Sequence, residues 1–269
     1  VEKRMSQRVN RDFMSRIKIF DLMSGNAPAL LVQHQPGIQM KGRLEIVLVE
    51  DLNQTAVGNV AVIVAERKSF LFPLCGCSVR GMSYPMGTYN EDVLTALRAS
   101  GIVYSRTVEA TRNFALPQDF LRWHPTAHQS HGILELADQF LGRNHPLDLF
   151  YLWGHSFEYD RESAPATWNL IEEFCEKMSG NDAIWYATNI EIYDYVMAQR
   201  SLYFSVDKDR VTNPSALSVW LLADGVPVEI PGGRYLRRRL RLLTIASSPL
   251  RVLWSFLWER MCSVISART

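Results

Sequence analysis

Apolar residues change their spacing along this chain, and each change marks a different kind of element. From residue 74 to 199, short apolar runs alternate with stripes at helical spacing. Val93, Leu94 and Leu97 share one helix face; Asn90 stands where a side-chain cap is needed, and Gly101 ends the segment. Residues 102–104 then read as a strand. Ile133, Leu136, Ala137, Phe140 and Leu141 make a second stripe, with Ser130 as its expected cap and Gly142 after its end. The continuous apolar run 149–153 predicts a buried strand. Trp168, Ile171, Phe174, Cys175 and Met178 form a third stripe. Residues 183–187 are the next strand, and Asn189 can cap a fourth helix running through Met197. Strands alternating with helices imply a parallel sheet under helical cover, wound by right-handed crossovers as a barrel or an open sheet.

The style changes after Gln199. Residues 202–206 and 219–222 look like strands, and Asp224-Gly225 is a hairpin turn before residues 226–230, so 200–233 predicts a small antiparallel appendage. Upstream, residues 1–73 are weakly organised. Runs 44–49 and 57–65 look like strands, and 12–23 reads as a short amphipathic helix. Downstream, in 234–269, arginines alternate with Leu, Ile and Trp on both sides of Pro249. A basic amphipathic helix there can touch an anionic membrane surface; a poorly packed tail is the alternative.

Composition narrows the function classes. The 269 residues are 47% hydrophobic and 21% charged, which suits a globular protein and argues against wholesale disorder. A formal net charge of +1 gives no sign of a nucleic-acid partner. The four cysteines are too few and too irregularly spaced for a disulfide framework or a zinc ribbon, and reduced thiols are expected. Neither a signal peptide nor an apolar run of membrane-spanning length is evident, so a cytoplasmic location is expected.

Three segments can carry chemistry. After the run 149–153 come Gly154, His155, Glu158 and Asp160. A histidine at a strand end beside a carboxylate suits general acid catalysis near neutral pH; a loop hydrogen bond is the alternative. Arg80-Gly81-Met82-Ser83-Tyr84-Pro85 reads as a strand end entering a Pro/Gly loop. An arginine there can hold a carboxylate by paired hydrogen bonds. His124 and His128 have i, i+4 spacing, with His131 nearby. On a helix that spacing can converge on a metal, but Pro125 fits only a first turn.

Taken together, these segments resemble the polysaccharide deacetylase family, the NodB-homology carbohydrate esterases. The likeness rests on Val79-Arg80-Gly81-Met82-Ser83-Tyr84-Pro85, Phe120-Leu121-Arg122-Trp123-His124-Pro125, Tyr151-Leu152-Trp153-Gly154-His155-Ser156, Trp185-Tyr186-Ala187-Thr188-Asn189-Ile190-Glu191 and Asn213-Pro214-Ser215-Ala216-Leu217. It runs from about residue 74 to 233. It implies an α/β fold: a partial, irregular (β/α) barrel over 74–199, with the antiparallel appendage at 200–233. Residues 1–73 stay unassigned, and 234–269 form the basic tail.

The resemblance also implies chemistry. Family enzymes remove acetyl groups from N-acetylated sugars. A divalent metal, often zinc, held by one aspartate and an H-x-x-x-H pair, polarises the amide carbonyl and activates a water. A second aspartate takes the water's proton, and a histidine protonates the leaving amine. His155 matches that acid. Arg80 matches the arginine that holds the base aspartate. Tyr84 and Pro85 match the loop lining the groove, and Trp185 the apolar wall. No motif position supplies the metal ligands: only His34 precedes Arg80, and Glu50-Asp51 is followed by Leu52 rather than glycine. The expectation is therefore a deacetylase-like protein acting on an N-acetylated sugar, incomplete at its metal centre. The alternatives are a carbohydrate-binding pseudoenzyme and a defective fragment.

Overall fold

The computed structural model describes residues 46–47, 64, 78–143, 145, 147–155, 158–160, 165–207, 209–223, 226–237, 243–245 and 251–255. The helix expected over 12–23 lies outside them. So does the strand expected over 57–65, apart from Val64, which is helical and buried. The chain divides into two compact units after Thr107.

The first unit carries a parallel sheet in the order β1 (Ile46–Val47), β2 (Gly81–Ser83), β3 (Tyr104–Arg106). Met82 lies opposite Ile46 on one side and Ser105 on the other. The apolar run 44–49 thus supplies a strand to the part of the chain that the motifs describe. Between β2 and β3 runs α1 (Glu91–Ala99). Asn90 Oδ1 accepts the Val93 N–H at 2.9 Å, which satisfies one of the helix's open donors. At the other end, Ile102 N–H donates to Leu97 and Gly101 N–H to Arg98, with Gly101 at φ 71°. This pairing closes the helix and needs a left-handed residue, which glycine adopts without a Cβ penalty. Val93, Leu94, Ala96 and Leu97 are buried along the expected face.

The second unit holds a four-stranded sheet in the order β4 (Ala127–His128), β5 (Leu149–Trp153), β13 (Arg251–Ser255), β6 (Ile184–Tyr186). Every pairing in it is parallel. Two helices build its core, α2 (Ile133–Gly142) and α3 (Trp168–Met178). Ile133, Leu136, Ala137 and Phe140 of α2 meet Ile171, Phe174, Cys175 and Met178 of α3 over Phe150 and Leu152 of β5. Burying a side chain of this size contributes about 1.5–3 kcal/mol before entropy is counted. Thr167 Oγ1 accepts the Leu170 N–H and so starts α3. After β6 comes α4 (Asn189–Arg200).

Two expected caps are displaced. Ser130 does not open α2: Gly132, at φ 64°, is its N-cap, and Ser130 Oγ lies 2.8 Å from His128 Nδ1. Asn189 is the first residue of α4 rather than its cap. Thr188 takes that place because Glu191, three positions on, reaches back to accept the Thr188 N–H at 2.8 Å.

The appendage is antiparallel. β9 (Val219–Ala223) and β10 (Val226–Ile230) pair as a hairpin, with Val226 opposite Ala223; the turn residues Asp224 and Gly225 lie outside the described residues. β8 (Arg210–Asn213) pairs with β7 (Tyr203–Phe204). Val211, Leu221 and Ile230 pack together as its core. Asn213 is fully buried and satisfied on both faces of its amide. Its Nδ2 donates to Leu217 and Ile230 carbonyls, and its Oδ1 accepts from Ser215 N–H and Oγ. That network explains the block Asn213-Pro214-Ser215 in structural terms.

The basic segment after residue 233 differs from the expected amphipathic helix. It supplies β11 (Arg234–Arg237), paired with β8; β12 (Leu243–Ile245), paired with β9; and β13, inserted between β5 and β6. Tyr235, Thr244, Ile245, Val252 and Trp254 in these segments are β-branched or aromatic residues, which favour strands. Among the described residues no sheet closes on itself, and no helix is long and apolar enough to cross a membrane.

Candidate functional site

The C-terminal ends of β4 and β5 lie side by side, because Ala127 pairs with Leu152 and His128 with Trp153. In parallel α/β sheets this edge collects functional side chains, since the loops that leave it are free to vary. Here it delivers His128 from β4, and His155 and Glu158 from the loop after β5. One donor atom from each of the three lies within 4.8 Å of the others.

Glu158 sits between the two imidazoles. Its Oε2 is 3.2 Å from His128 Nε2, and its Oε1 is 3.2 Å from His155 Nδ1. His128 is the more enclosed ring, at 14% side-chain exposure, against 44% for His155. The site is therefore walled on the β4 side and open at His155. Trp153 packs edge-on against both rings, with centroids 4.6 Å from His128 and 5.6 Å from His155.

A second layer holds these groups. Gln129 is buried, and its Nε2 donates both to Glu158 Oε2 at 2.8 Å and to the His155 carbonyl at 2.9 Å. Both partners are acceptors, so the orientation of the amide follows from chemistry. Gly154 is required for this approach: a Cβ there would lie 2.0 Å from Gln129 Oε1. Ser130 bonds His128 Nδ1 and leaves the Nε2 edge toward Glu158. Behind the loop, burial pushes the Tyr159 phenol well above its ordinary range, and the charges of Cys175 and Glu158 act in the same direction.

The structure places the expected residues as follows. His155 is at the site, and its carboxylate partner is Glu158. Asp160 instead accepts the Trp168 indole N–H at 2.8 Å. His124 and His128 do not converge. The backbone from Trp123 to His128 is extended rather than helical, and His124 Nδ1 pairs with Glu109 Oε2 at 3.3 Å. His131 stays near His128, accepting that residue's N–H through Nδ1 at 3.4 Å.

Trp185 is on β6, half-buried, edge-on to Tyr195 at 5.5 Å. Arg80, Tyr84 and Pro85 belong to the first unit. Arg80 is half-buried and leads into β2, its carbonyl accepting Val103 N–H at 2.8 Å. Tyr84 and Pro85 are buried, with Tyr84 stacked on Tyr89 at 4.7 Å. Neither offers a face to solvent, unlike the groove-lining role that the resemblance implies.

Gln129 and the pairing of His128 with His155 were not legible as a site in the sequence. His128 stood out only through its spacing from His124, and the polar run His128-Gln129-Ser130 at the end of a short strand was the signal for Gln129. A cleft of about 560 Å3 lies at the opposite end of β5, bordered by Arg112, Phe114, Arg143 and Asp148. His145 lines it, but His128 and His155 do not. Comparison with known proteins adds no assignment: no protein-family model, no curated protein and no solved structure matches this chain.

The donor set also bears on the metal that the resemblance implies. Two imidazoles and one carboxylate suit a divalent ion of the zinc type. These residues are not the aspartate and H-x-x-x-H positions of the family pattern, so they fit the ion but not the family's arrangement.

Proposed function

We propose that this chain is a hydrolase of the polysaccharide deacetylase type, acting on the acetyl-amide bond of an N-acetylated sugar, with His155 as its proton donor. One observation carries the reading. His155 Nδ1 is 3.2 Å from Glu158 Oε1, and the ring is 44% exposed at the C-terminal edge of parallel strands. The motif blocks quoted above supply the substrate class.

Glu158 fixes the orientation of the ring through Nδ1. With Nδ1 on Glu158, proton transfer to a departing amine falls to Nε2. General acid catalysis of this kind contributes typically 10²–10⁴-fold. Gln129 keeps Glu158 from turning away, and Trp153 limits the swing of the ring. A divalent ion bound near the scissile amide would polarise its carbonyl and activate water. In this reading Trp185 keeps the apolar-wall role that the resemblance implies.

The test is acetate release from an N-acetylglucosamine oligomer by purified protein, measured with and without added zinc, against His155→Ala and Glu158→Gln. Loss of about 100-fold or more with His155→Ala supports the reading. Acetate release unchanged in both variants, or absent from a folded wild-type protein across N-acetylated sugars, removes it.

A further inference from the structure

We propose that His128, His155 and Glu158 bind one divalent transition-metal ion of the zinc type at a site of their own. The proposal does not depend on sugar deacetylation; it needs only the three side chains and what holds them.

Distances carry the first part of the argument. Ligands held at about 2.1 Å in a tetrahedral array sit roughly 3.4 Å apart. Glu158 reaches the two rings through different oxygens, Oε2 to His128 Nε2 and Oε1 to His155 Nδ1, each at 3.2 Å, and with a single donor atom from each residue all three lie within 4.8 Å of one another. A small closure of the two rings therefore completes three corners of a tetrahedron. His155, at 44% side-chain exposure, leaves room for water or a ligand atom as a fourth donor. Donor chemistry selects the ion: two imidazole nitrogens with one carboxylate favour zinc, cobalt or nickel over magnesium and calcium, which prefer oxygen.

The surroundings carry the second part. Metal-binding histidines are usually fixed through their other nitrogen, and their carboxylate partners are themselves hydrogen-bonded. Ser130 Oγ at 2.8 Å from His128 Nδ1 serves the first role, leaving Nε2 as the ligating atom. Gln129 Nε2 on Glu158 Oε2 serves the second. Gln129 holds that position at a cost, since its Oε1 is buried with no hydrogen-bond partner among the described residues. Occupancy also draws His155 into coordination, so a bound ion and proton donation by that ring exclude one another.

Zinc titration by calorimetry on metal-stripped full-length protein tests the site, with cobalt absorption as a second readout. The wild type is expected to bind about one ion per chain, with cobalt absorption of tetrahedral intensity. His128→Ala and Glu158→Gln should weaken binding tenfold or more, while His124→Ala, outside the cluster, leaves it unchanged. Should a variant fail to fold, histidine acylation of the wild type by diethyl pyrocarbonate decides instead: zinc must protect His128 and His155 and leave His124 reactive. No saturable binding, equal binding in all variants, or protection confined to other histidines overturns the proposal. Acetate release plays no part in these measurements, so their failure and that of the deacetylase reading are separate results.

Discussion

The side-chain amide of Gln129 fills the space beside Gly154. A Cβ on Gly154 would meet Oε1, Cδ and Cγ of Gln129 at 2.0, 2.2 and 2.6 Å. The same amide grips Glu158 from its other end. A missing side chain at one position thus holds a carboxylate in place four residues later.

Gly154→Ala must therefore push Gln129 off Glu158. Overpacking of this sort costs about 1–3 kcal/mol, read as a lower midpoint in urea. Gln129→Ala in the same chain should relieve part of that cost, with a coupling of about 0.5–3 kcal/mol. An unchanged midpoint in Gly154→Ala, or strict additivity of the pair, contradicts the contact.

Tyr159 sets an alkaline limit. Its folded pKa is raised above its unfolded value, so between the two only the folded state keeps the proton. Stability is then full below the ordinary tyrosine range of about 10 and falls as pH rises beyond it. Phenolate absorbance of the native protein should show at least one tyrosine that ionises only on unfolding. In Tyr159→Phe the number of tyrosines that ionise only on unfolding should fall by one, and the alkaline decline of stability should be shallower. A wild-type titration in which every tyrosine ionises normally in the folded state contradicts this.

The reciprocal cap on α4 makes a local prediction. Glu191→Ala removes the acceptor for the Thr188 N–H and should cost about 1 kcal/mol. Glu191→Gln should recover most of it, since an amide oxygen still accepts. Equal loss in both variants points to charge at the helix N-terminus instead.

Gly81 and Gly132 separate two reasons for glycine. At Gly81 a Cβ would lie 1.9 Å from the Tyr104 ring; at Gly132 nothing lies within 4 Å, but φ is +64°. Gly132→Ala should cost only the backbone term, roughly 1–2 kcal/mol. Gly81→Ala must displace a buried ring and should cost more, with Tyr104→Ala suppressing the difference. The same small loss at both positions would show that Tyr104 has room to move.

Periodicity alone located most of the regular elements in residues 90–230. Stripes and runs of this length report burial, and burial decides helix or strand when the pattern is long. Capping was less legible. Ser130 and Asn189 have the right chemistry to cap, but each competes with a neighbour: His128 diverts Ser130, and Glu191 favours Thr188. Local sequence does not rank such competitors.

The chain's order of residues settled that His155 and a carboxylate stand together at a strand end, because a glycine after an apolar run forces the exit there. Only the tertiary structure decided that β4 lies against β5 in parallel register, so that His128 meets a histidine 27 positions away in the chain. It alone decided that β13 enters the sheet between β5 and β6. Strand pairing is chosen by packing across the whole core, and no spacing within one segment encodes which edge it will meet.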